Sequence, residues 1–240
     1  MTPGPTNVPK EIRNKMAEDV IHHRMTDYKK LFSEVSEDLK KIFKTKQDVI
    51  TLTCSGTGVM EASVVNLFSR KEKVLVINTG YFGQRFVELT TTYGLDVLEL
   101  KYDWGSTYDI EDVKKIILTN PDLKGIFITH SETSTGVLNN LQKIGALTKN
   151  TDILLVVDSV SGMVVNPLEF DDWSLDCVIA GSQKGFLLPP GLAFIALSEK
   201  AKKAMMNSNF PKFYFDFKKY IKFLKEQKQS PYTPAITLVV

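Results

Sequence analysis

Seven short apolar runs recur along the chain, and they constrain its fold more than any other feature. They are VITL (49–52), VLVI (74–77), VLEL (97–100), IFIT (126–129), ILLVV (153–157), CVIA (177–180) and AFIAL (193–197). Most are rich in β-branched side chains and apolar at consecutive positions. A strand with one wet face would alternate with polar residues, so these runs call for cover on both faces. Between most of them lie segments with helical spacing, at 58–68, 82–93, 110–118 and 140–149. Strands that alternate with helices predict an α/β fold, with a mostly parallel seven-stranded sheet between two helical layers.

The two ends read differently. Residues 1–9 hold three prolines and a glycine, which excludes a helix there; 10–20 and 28–43 then read as two helices joined around HHRMTD and wrapped outside the sheet. Residues 200–227 are rich in lysine and aromatics, with helical stretches broken at Pro211. Thr233 followed by Pro234 has the form of an N-cap with proline at the first helical position. A helix is therefore expected to open there, and the sequence reads as stopping mid-element.

Composition narrows the class of partner. Thirty Lys and Arg against 28 Asp and Glu leave a formal charge of +2, scattered along the chain, which gives no case for a nucleic-acid or membrane-surface partner. Cys54 and Cys177 are far apart and match no metal spacing, so they read as packed, reduced thiols. No run approaches the roughly 20 apolar residues of a membrane span, and MTPGPTNVPK lacks the apolar core of a signal peptide. The expectation is a soluble, cytoplasmic protein.

In open α/β sheets ligands sit beyond the carboxyl ends of the strands. The residues at those ends are TCSGTG, NTGYFGQR, HSETSTG, DSVSG and GSQKG, so five strands deliver small hydroxyl residues, glycines, one aspartate and one lysine to a common edge. Ser55, Gly56, Thr57 and Gly58 place backbone N–H groups and hydroxyls at a helix start, which suits a phosphate, although a plain capped turn reads the same way. Asp158 follows the most apolar strand, where a carboxylate is costly without a positive partner; its plainer role is a turn residue. Lys184, among small and apolar neighbours, would have a lowered pKa and become an amine nucleophile; its plainer role is a solvated surface lysine. With the aromatic Phe82 at another strand end, the set matches the protein half of pyridoxal 5'-phosphate chemistry.

The motifs in order are PGPTNVP (3–9), SGTGVMEA (55–62), NTGYFGQR (78–85), THSETSTGV (129–137), VDSVSG (157–162) and GSQKGFLLPPG (181–191). On these the chain resembles the class V, fold type I aminotransferases, within them the alanine–glyoxylate and serine–pyruvate group, from Pro3 to the TPAI at 233–236. The resemblance implies that Lys184 carries the cofactor as a Schiff base and moves the substrate's proton, and that Asp158 pairs with the pyridinium nitrogen. It implies that Ser55, Gly56, Thr57 and Gly58 hold the phosphate, with Thr57 and Gly58 in direct contact. Phe82 would stack on the ring with Val160 on its other face, Thr133 would approach the ring oxygen, and Gln183 would contact the phosphate. Tyr232 and Thr233 would complete the site of a neighbouring subunit, which implies a homodimer.

The implied reaction is ping-pong transfer of an amino group from alanine or serine to glyoxylate or pyruvate. The implied division is an N-terminal arm at 1–20 and a cofactor-binding large domain at 21–240. The family's C-terminal small domain, with the arginine that clamps the substrate carboxylate, falls outside the sequence. Two departures follow: Val59 stands where some relatives have histidine, and no residue here takes the carboxylate clamp. A non-catalytic cofactor-binding or structural dimer partner is the alternative reading. A cysteine desulfurase ranks below it, because Cys54 is early, Cys177 is at a strand edge, and SQK rather than a histidine–lysine pair marks the anchor. His22, His23 and Arg24 read as a loop or dimer contact, and His130 as a strand-end residue without a required role.

Overall fold

A computed structural model describes residues 2–239. The chain runs α1 (Lys10–Met16), α2 (Thr26–Phe43), β1 (Val49–Leu52), α3 (Gly56–Leu67), β2 (Lys73–Asn78), α4 (Tyr81–Thr92), β3 (Asp96–Lys101), α5 (Ile110–Thr119) and β4 (Leu123–Thr129). It continues through β5 (Ser131–Glu132), β6 (Val137–Leu138), α6 (Leu141–Thr148), β7 (Leu154–Asp158), β8 (Cys177–Gly181), β9 (Ala193–Leu197), α7 (Glu199–Met205) and α8 (Phe217–Gln227), and ends in a 3-10 turn at Ile236–Leu238.

All seven apolar runs are strands of one sheet, ordered β1-β9-β8-β7-β4-β2-β3. Neighbours from β8 to β3 pair in parallel, whereas β9 runs antiparallel to both β1 and β8. The expected mostly parallel α/β sheet is present. Strand side chains alternate between two cores: Leu75, Ile77, Ile126, Ile128, Leu155 and Val157 face one, with α2, α5 and α6. Val74, Val76, Phe127, Leu154, Val156 and Ile179 face the other, with α3, α4, α7 and the start of α8. Each such side chain, once fully buried, contributes about 1.5–3 kcal/mol, which favours unbroken apolar runs in the buried strands; the edge strand β3 is not covered on both faces, and its VLEL run carries the exposed Glu99.

Two expectations at the ends are corrected, and a third holds with wider bounds. The first helix stops at Met16 rather than at residue 20, because it buries no side chain that would hold further turns in place. No helix opens at Thr233: the 3-10 turn is capped by Ala235, and the Ala235 N–H donates to Thr53 Oγ1 at 2.9 Å. Pro211 marks a break that spans the whole stretch between Met205 and Phe217. The hairpin of β5 and β6 was not foreseen, since two-residue strands carry no period. Among the described residues, no helix is long and apolar enough to cross a membrane.

Candidate active site

The carboxyl ends of β1, β2, β4, β7 and β8 converge on a cavity of about 270 Å³. Its wall includes Ser55, Gly56, Thr57, Phe82, Thr133, Asp158, Val160, Gln183 and Lys184, nine of the twelve residues marked in the sequence. At one end, Ser55 is the N-cap of α3, its Oγ accepting the Gly58 N–H at 3.2 Å, and its carbonyl accepts the Val59 N–H. The Gly58 N–H is thus spent on the cap. The N–H groups of Gly56 and Thr57 have no acceptor among the described residues, so the free donors sit one residue earlier than expected. Bulk is excluded here, because a Cβ on Gly56 would lie 3.1 Å from Val160 Cγ2.

At the other end, Asp158 closes β7 and is 3% exposed. Its Oδ1 accepts the Val160 N–H at 2.9 Å, and Oδ2 accepts no hydrogen bond among the described residues. Burial pushes its carboxyl up to about 6; the Val160 N–H opposes this, the charge of Glu132 adds to it, and Arg85 and Lys184 pull it back. Lys184, in the turn after β8, is half-buried, and desolvation lowers its pKa against the opposing pull of Asp158. The Thr6 hydroxyl donates to the Lys184 carbonyl at 3.2 Å, and a Cβ on Gly4 would lie 2.5 Å from Lys184 Cδ. The first residues of the chain therefore press on the lysine stem. Gln183 Oε1 is buried without a partner, and Thr133 and Ser161 share a hydrogen bond of 2.6 Å.

Glu132 escaped the sequence reading. It is fully buried and accepts the N–H groups of Phe82 and Gly83 at 3.1 Å each, and the N–H and hydroxyl of Ser134 at 3.2 and 2.7 Å. One carboxylate thus ties the start of α4, with Phe82, to the hairpin that carries Thr133. The motif ETS offered its only signal, an acid beside a marked threonine. Arg85, Ser161, Met60, Gly4, Pro5 and Pro190 also line the cavity without having been marked. Behind Asp158, His130 Nδ1 lies 3.0 Å from Ser159 Oγ, and burial holds its pKa down to about 4, so it is neutral near pH 7.

Tyr232 and Thr233 are not among the residues that line this cavity. Tyr232 stacks on Tyr214 with ring centroids 5.2 Å apart, and its hydroxyl donates to the Phe213 carbonyl; Thr233 is exposed beside His23. Burial pushes the Cys54 thiol up to about 12, and Cys177 is raised by burial as well, so neither is a ready thiolate.

The donor set fits a flat heteroaromatic phosphate. Free N–H groups at a helix start, a carboxylate oxygen of Asp158 that accepts no hydrogen bond among the described residues, an aromatic, a valine and a desolvated amine share one cavity. Comparison with known proteins agrees: residues 3–230 match the family described as aminotransferase class-V. The chain belongs to the class V aminotransferase family. It is 41% identical over 239 residues to an uncharacterised aminotransferase of Methanocaldococcus jannaschii, covering 99% of this chain and 62% of that protein. It is 35% identical over 255 residues to a serine–glyoxylate aminotransferase of Methylorubrum extorquens, covering 99% of this chain and 61% of that one. An aspartate aminotransferase of subgroup IV from Thermus thermophilus superposes with a TM-score of 0.91 at 36% identity, over 100% of this chain and 67% of that structure. The chain thus spans about three fifths of the curated relatives it matches.

Proposed function

We propose that this chain forms the pyridoxal 5'-phosphate-binding part of a homodimeric aminotransferase. The reaction passes an amino group from a small amino acid, alanine or serine, to glyoxylate or pyruvate in two half-reactions. The observation that carries this reading is that Lys184 and Asp158 share one cavity with the free N–H groups at the start of α3. When bound, the cofactor supplies an aldehyde that links covalently to an amine and a ring that withdraws electrons from the substrate's Cα.

The protein's part is to hold and to move protons. Gly56 and Thr57 would face the phosphate with Gln183, and Phe82 and Val160 would sandwich the ring. Thr133, fixed by Ser161, would meet the ring hydroxyl. Asp158 would hold a proton on the ring nitrogen through its unpaired oxygen, and a cation there would draw its carboxyl back toward the ionised form. Lys184, poorly solvated, keeps a share of neutral amine that can take the proton from the substrate's Cα and return it. Tyr232 and Thr233, which do not line the cavity of their own chain, would serve the site of a second copy.

Absorbance tests this directly. Added cofactor should give a visible band that Lys184→Ala removes; a band that survives in the variant would refute Lys184 as the anchor. L-Alanine, L-serine and L-aspartate, each followed by glyoxylate or pyruvate, then separate the donors. Failure of every donor to bleach the band would favour the non-catalytic reading.

A further inference from the structure

Among the described residues, Arg85 and Lys184 are the cations that line the cavity, and the roles assigned above leave Arg85 unused. Arg85 lies on α4, one turn after Phe82, with its guanidinium carbon 4.7 Å from the Phe82 ring centroid and 5.2 Å from that of Tyr81. Stacking of this kind orients the planar fork without consuming its N–H groups. Nη1 donates to Thr57 Oγ1 at 2.9 Å, its only hydrogen bond among the described residues, and it forms no ion pair there. A guanidinium carries five N–H donors. This one is half-buried, forms no salt bridge among the described residues although its charge is felt by Asp158 in the same cavity, and is tied to the second residue of a helix whose Gly56 and Thr57 N–H groups also lack acceptors there. The next residue inward, Val59, is fully buried and apolar and adds no polar contact.

We propose that Arg85 binds the phosphate of the cofactor, so that α3 and α4 together close on it; this rests on the cofactor reading given above. The Arg85 fork reaches across from α4, while the α3 backbone supplies the other donors. Phe82 and Arg85, on one face of one helix, then read the two parts of a single ligand, the ring and its anionic tail. Charge-assisted contacts between a guanidinium and a phosphate are among the stronger hydrogen bonds proteins make.

The experiment is calorimetric titration of the 240-residue chain with pyridoxamine 5'-phosphate and with pyridoxamine. The two differ only by the phosphate, and neither has an aldehyde that could bond to Lys184. In Arg85→Met the phosphorylated ligand should lose about 10- to 100-fold in affinity, as expected for one charge-assisted contact, while pyridoxamine is unchanged. Inorganic phosphate should compete with the phosphorylated ligand in the wild type and compete less in the variant. Equal losses for both ligands would overturn the proposal and assign Arg85 to the stack on Phe82; no loss for either would overturn it as well. Arg85→Gln, uncharged but still able to bond Thr57, gives the same split and decides the matter if the methionine variant does not fold. A wild type that binds neither ligand would instead overturn the cofactor reading, and the Arg85 proposal with it.

Discussion

Asp158→Asn should stabilise the cofactor-free chain while weakening its hold on the cofactor. The buried carboxyl titrates near 6 rather than at 3.8, with burial the largest cause. The folded chain therefore binds this proton more tightly than the unfolded chain, so stability is lost as pH rises from about 4 to about 6. Above that window Asp158 is ionised in both states, and the ionised form costs the fold about 3 kcal/mol, at about 1.4 kcal/mol for each tenfold change in proton affinity. Asparagine keeps the shape without the charge. Urea unfolding of the cofactor-free proteins at about pH 4.5 and about pH 8 should show the asparagine variant gaining about 2 kcal/mol more at the higher pH. A gain independent of pH, or a variant no more stable at pH 8 than the wild type, would refute the reasoning, because the cost would not then come from the buried charge.

Three further expectations rest on hydrogen bonding and packing. Glu132→Ala strands four donors at once and should cost about 3 kcal/mol or more, read as a lower urea midpoint at unchanged slope, with weakened cofactor binding through Phe82. Gly145→Ala places a Cβ 1.8 Å from the Trp173 carbonyl oxygen, so α6 must shift; a loss of about 2 kcal/mol or more is expected, and a neutral result would show that the contact yields freely. A thiol reagent at about pH 8 should label Cys54 and Cys177 slowly in the native chain and quickly in urea, since burial raises both thiols; fast native labelling would contradict their packing.

Most of the sheet was legible because burial on both faces leaves an unbroken apolar record in every strand but the edge strand β3, and strand ends in such sheets point to the ligand edge. Asp158, Lys184 and the α3 start were found in that way. Glu132 and Arg85 were not, for a physical reason: each owes its place to contacts between separate elements. Glu132 reaches the backbone of α4 some 50 residues earlier in the chain, and Arg85 reaches Thr57, 28 residues earlier. Neither distance leaves a period or a spacing. The Thr233–Pro234 pair misled for the opposite reason. Its local signal is a good helix opening, yet the following N–H is taken by Thr53 at the end of β1, and a tertiary bond overrides the local preference.

The single antiparallel strand also has a bearing on the order of assembly. Within the sheet β1 has β9 as its neighbour, and Leu52 pairs with Ala193, 141 positions later. At about 5–20 residues per second, a nascent β1 leaves the ribosome roughly seven to thirty seconds before its partner exists. Until then the turn from β1 into α3 has no sheet edge to anchor it. The element that would grip the anion is thus made early and fixed late, and a nascent chain cannot complete its grip until β9 has emerged.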